Sequence, residues 1–127
     1  MEETIVRLKL RSRIYSPEKL VELSGLNCQR SWRIGERRGK SGIVEEDNGC
    51  VVESGLPKSA TLDEHMAALL AVLAPCTAQL RSLSEHTDIE LSCVVYGKTV
   101  PALNFSRKTI DQIAGLGASL DIDLYVT

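Results

Sequence analysis

The densest run of side chains able to do chemistry in this chain is Arg30-Ser-Trp32-Arg33-Ile-Gly35-Glu-Arg37-Arg38-Gly-Lys40. Arginine forks grip phosphates or carboxylates through paired hydrogen bonds, and an indole offers a flat face to a base or a cation. Four arginines beside the only tryptophan of the chain make a candidate anion-binding surface. Trp32 would be its aromatic anchor, with Arg33, Arg37 and Arg38 supplying charge. The plainer reading is a solvated loop whose arginines pair with Glu45, Glu46 and Asp47. Of the functional readings, an anionic protein partner is favoured over nucleic acid. A dedicated nucleic-acid binder carries a basic balance, whereas this chain has a net charge of −2.

Asp121 and Asp123 stand two apart in an alternating stretch, so both carboxylates share one side of a strand. Such a pair can hold a divalent cation or move protons, which makes it a weak candidate metal site. A solvent-facing acidic stripe, opposite Arg7 and Lys9 of the first strand, is the favoured reading. His65 and His86 have no second ligand type at metal-binding spacing. Cys28, Cys50, Cys76 and Cys93 contain no C-x-x-C pair and read as reduced, part-buried small hydrophobes. Nucleophile elbow, phosphate loop and H-E-x-x-H helix are all missing. No cofactor is therefore expected, and an enzyme is not the leading reading. A small-molecule or catalytic site between the sheet and the long helix stays as a third possibility.

The elements that would position these residues follow from periodicity. Val6, Leu8 and Leu10 alternate with Arg7, Lys9 and Arg11, which predicts a strand with one buried and one basic face. Ser16 then caps a short helix with Pro17 in its first turn and Gly25 at its end. Residues 28–34 and 49–54 are strand candidates that can pair as an antiparallel ribbon across a mobile loop at 35–48. Thr61-Leu-Asp-Glu64 has the form of a capping box. After it, Leu62, Met66, Leu69, Leu70, Leu73, Cys76, Leu80 and Leu83 fall on one helical face, with Pro75 expected to kink or restart the helix. Strands are predicted at 89–96 and 119–126, with a short edge segment at 101–105.

One phrase occurs twice. Ser16-Pro-Glu-Lys-Leu20-Val-Glu-Leu23-Ser-Gly25-Leu26 returns as Ser106-Arg-Lys-Thr-Ile110-Asp-Gln-Ile113-Ala-Gly115-Leu116. Each copy reads as a serine-capped helix with core Leu or Ile positions and a terminal glycine, delivered into a strand. The order β-α-β-β-α-β-α-β predicts a single α+β domain over 1–127. Its sheet should be mostly antiparallel with helices on one face, a ferredoxin-like β-α-β-β-α-β core extended by a C-terminal α-β unit.

An apolar share of 43% and a charged share of 25% suit a globular domain able to build its own core. No uncharged apolar run approaches the ~18–20 residues of a bilayer span, and the first residues do not form a signal peptide. The expectation is a cytoplasmic protein with no membrane association. Residues 7–40 are rich in Lys and Arg and residues 61–127 in Asp and Glu, a split that marks either an anionic partner or charge pairing between the halves. A homo-oligomer is compatible with either.

Several motifs carry a family likeness: S-P-E-K-L at 16–20, S-W-R-x-G-E at 31–36, E-S-G at 53–55 and A-G-L-G-A-S-L-D-I-D-L-Y at 114–125. On these the chain resembles the bacterial family known as domain of unknown function 4279. The resemblance implies a small intracellular protein without assigned activity or catalytic residues, and a loose association with immunity or accessory partners in toxin systems. It assigns no role to any residue. The chain has Cys50-Val51-Val52 where the family leads one to expect a tryptophan, so a role built on that tryptophan does not carry over.

Overall fold

A computed structural model describes residues 2–127. Strand β1 (Glu3–Ser12) buries Thr4, Val6, Leu8, Leu10 and Ser12 on one side, the alternation expected of a strand covered on one face only. Helix α1 (Pro17–Ser24) opens with the Ser16 hydroxyl accepting from the Lys19 N–H at 3.1 Å and closes on Gly25 at φ 73°. Strands β2 (Arg30–Trp32) and β3 (Asn48–Glu53) pair antiparallel, as the sequence suggests. The segment between them is not loose: Arg37 bridges Val44 and the Arg38 N–H bonds Ile43, so it folds back as a small hairpin.

Helix α2 (Leu62–Leu73) carries both bonds of the capping box, Glu64 N–H to Thr61 Oγ1 at 3.1 Å and Thr61 N–H to Glu64 Oε1 at 2.9 Å. Pro75 cannot donate within a helix, and a 3₁₀ turn over Ala74–Cys76 separates α2 from α3 (Thr77–Leu83). Together Leu62–Leu83 reach the length and hydropathy of a bilayer span, against the sequence expectation. Here their leucines face the sheet. Strand β4 (Asp88–Gly97), helix α4 (Arg107–Gly115) and strand β5 (Ser119–Val126) complete the chain.

The sheet runs β2-β3-β1-β4-β5, antiparallel except for the parallel β4–β5 edge. The class is α+β. Leu8, Leu10, Cys50, Val52, Leu91 and Cys93 point to one side and meet Leu20, Leu69, Leu73, Leu80 and Ile113 from the four helices. Among the described residues no helix packs on the other side of the sheet, and the 33–45 hairpin covers one corner of it.

Three expectations need correction. Residues 101–105 form no strand. The aspartates of β5 do not lie opposite β1, because β4 stands between and sets Asp121 beside Ser92 and Asp123 beside Val94. The repeated phrase also diverges: Leu20 is fully buried while Ile110 is 54% exposed, and the left-handed residue after α4 is Gly117 rather than Gly115. Helix α4 runs one residue further than α1, through Gly115, and turns left-handed at Gly117.

Candidate functional site

The uncovered face of the sheet is where the sequence-predicted residues come together. Register places Arg30 beside Val51, Val51 beside Lys9 and Lys9 beside Glu90 in one row across four strands. The next row sets Trp32 beside Gly49, Gly49 beside Arg11 and Arg11 beside Asp88. Over this corner folds the hairpin of 33–45, leaving a groove of about 440 Å³ lined by Lys9, Arg11, Arg30, Trp32, Arg37 and Arg38, with Val51 in its floor.

Glycine at 49 makes the groove possible. The Trp32 ring lies flat across Gly49, in the space a β-carbon there would fill. Asn48 holds the base of the hairpin, accepting from the Ile34 N–H and donating to the Tyr15 carbonyl, both at 3.0 Å. Neither residue carries a motif, so sequence reading passed over them. Gly49 beside a tryptophan one strand away was the available signal, legible only with the register in hand.

The charges are unequally satisfied. Arg38 Nε bonds Glu45 Oε1 at 2.7 Å, and that bond holds the Glu45 carboxyl below the usual range. Arg11 approaches Asp88 at 3.9 Å and Arg7 approaches Glu53 at 3.5 Å. Burial, followed by the neighbouring Arg11 charge, pushes the Lys9 amine down. Among the described residues Lys9, Arg30 and Arg37 have no ion-pair partner within 4.0 Å. Arg33 does not join them. It follows the last residue of β2 and pairs with Glu18 of α1 instead.

Elsewhere, Asp121 and Asp123 lie exposed on the same uncovered face at its far edge. Among the described residues no three His, Cys, Asp or Glu side chains lie close enough to share a metal ion. His65 is buried, with Nδ1 2.6 Å from the Ser54 hydroxyl and Nε2 without a partner. The pair ties α2 to the end of β3. Between sheet and α2 the space is filled by Leu8, Leu10, Leu69, Leu73 and Leu91, all fully buried.

The chain matches the family described as Domain of unknown function (DUF4279) over residues 2–127. It belongs to that family. No curated protein and no solved structure matches it. For this DUF4279 member, then, the groove's own chemistry is the guide to function: five cations, one indole, and an apolar floor.

Proposed function

We propose that this chain is a non-enzymatic binding module that takes an acidic segment of a protein partner in the groove beside Trp32. The observation that carries this reading is the convergence of Lys9, Arg11, Arg30, Arg37 and Arg38 on one indole. Arginine and tryptophan are the side chains that most often dominate interface energy. An immunity-like or antitoxin-like role in a bacterial cytoplasm fits such a module, and four free cysteines suit a reducing compartment.

A nucleic acid is the second reading, and the face argues against it. A phosphate backbone leaving the groove along the sheet meets Asp88, Glu90, Asp121 and Asp123, and Glu36 and Glu45 line the groove itself. The anionic stretch that fits is short.

Titration with a Glu-rich peptide, followed by calorimetry, tests the proposal. Binding should be lost in Trp32→Ala combined with Arg37→Ala. Unchanged affinity in that variant removes this surface. Tight binding of single-stranded DNA, weakening linearly with salt on log axes, replaces the protein partner by a nucleic acid.

A further inference from the structure

The uncovered face carries both halves of an interface. At one corner Lys9, Arg30 and Arg37 are cations without an ion-pair partner. At the opposite edge Asp121 and Asp123 are anions without one, among the described residues. Strands β2 and β5 are the two edges of the sheet, about 19 Å apart at the usual strand spacing. The aspartates therefore cannot reach Arg30 of their own chain.

Each half also has an aromatic anchor. Trp32 lies at the basic corner. At the acidic edge Tyr96 and Tyr125 stack with ring centroids 5.0 Å apart, 41% and 49% exposed. Between them Ile5 and Val94 face each other across β1 and β4, both only half-buried. An apolar pair beside exposed aromatics and complementary charge is found in protein interfaces.

We propose that the occupant of this face is a second copy of the chain. This rests on the reading of the groove as a site for an acidic protein segment, and it names that segment as the β5 edge of another molecule. A two-fold axis lying between two such faces sets each basic corner on the acidic edge of its partner, so the same contact is made twice. Five strands of about eight residues offer roughly 600 Å² per molecule. Standard interfaces bury about 800 Å² per partner. The dimer is thus reversible and salt-sensitive, and it covers the groove, so an outside acidic partner must compete with self-association.

Sedimentation velocity on the full chain at about 1–100 µM tests this, a range chosen for an interface of this size. Wild type should dimerise at low salt and dissociate at high salt. Arg30→Glu with Arg37→Glu reverses two charges of the basic corner, and Asp121→Lys with Asp123→Lys reverses both charges of the acidic edge. Each double variant should self-associate at least about tenfold more weakly, and an equimolar mixture of the two should restore the dimer. Circular dichroism confirms that both fold, and the wild-type measurement needs no variant at all. Monomeric wild type throughout, or a mixture that stays monomeric, overturns the dimer. If that monomer still binds a Glu-rich peptide through Trp32, only the dimer falls; if it binds nothing, the groove reading falls with it.

Discussion

The indole of Trp32 occupies the volume that a side chain on Gly49 would take. The two residues face each other across β2 and β3, and the contact fixes where the groove begins. Gly49→Ala should therefore expel the ring from the sheet. We expect a red-shifted Trp32 emission, a loss of about 1–3 kcal/mol in stability from overpacking, and loss of peptide binding. An unchanged emission spectrum would show that the ring does not depend on that glycine.

The cysteines should react in a set order. A hydrogen bond with Cys50 holds the Cys28 thiol below its usual range, whereas the same contact and burial push the Cys50 thiol up. Burial, with the Asp121 charge behind it, pushes Cys93 up to about 12. Limited iodoacetamide at neutral pH should label Cys28 before Cys50 or Cys93, since the thiolate is the nucleophile. In Cys50→Ala the midpoint of Cys28 alkylation should move to higher pH. Mass mapping of the alkylated peptides reads both outcomes.

Thr61→Ala removes the cap of α2 and should cost about 1 kcal/mol at neutral pH. Bonds from Thr61 hold the Glu64 carboxyl below its ordinary value. A carboxyl depressed in the folded state adds stability above its unfolded value and loses it as pH falls through the folded one. The largest of these bonds comes from the Thr61 backbone N–H and survives in Thr61→Ala, so it is the gap between wild type and Glu64→Ala that should narrow below pH ~4. Urea titrations at several pH values measure it.

Among the described residues Ser54 is the only hydrogen-bond partner of the buried His65 ring. Ser54→Ala leaves both ring nitrogens of His65 unsatisfied and should cost about 1–3 kcal/mol. Adding His65→Leu should recover part of that loss, because replacing both members removes the orphaned polar group. A double-mutant cycle in which the losses simply add would separate the two residues energetically.

The repeated phrase makes a paired test. Leu20→Ala should cost about 2–5 kcal/mol, as for a buried leucine. Ile110→Ala should change stability by under about 0.5 kcal/mol, as for an exposed site. Equal losses would mean that α4 is packed as α1 is.

The legible parts of the fold were those with strong local signals. Alternation marked β1, the capping box marked α2 and Pro75 marked its break, because each is set by neighbours in sequence. The groove was half legible. Arg30, Trp32, Arg37 and Arg38 stood out by type, but Lys9 and Arg11 join them only through the strand order. Arg33 looked equivalent to its neighbours, but it follows the last residue of β2 and pairs with Glu18 instead. Asp121 and Asp123 were placed opposite the wrong strand for the same reason: which strand lies beside β5 is a long-range property, and nothing near residue 120 encodes it.

The middle of the sheet is also the first strand to be made. Leu8 pairs with Val52 on one side and Leu91 on the other, so β1 waits through most of synthesis for its second neighbour. Until β4 has left the ribosome, β1 presents an unpaired backbone edge beside a basic stripe, the condition in which nascent chains aggregate or recruit chaperones. Pairings between such distant residues also fold slowly. The order in which this molecule is built is thus opposed to the order in which its sheet can close, and its yield in the cell should depend on how quickly residues 88–97 follow the rest.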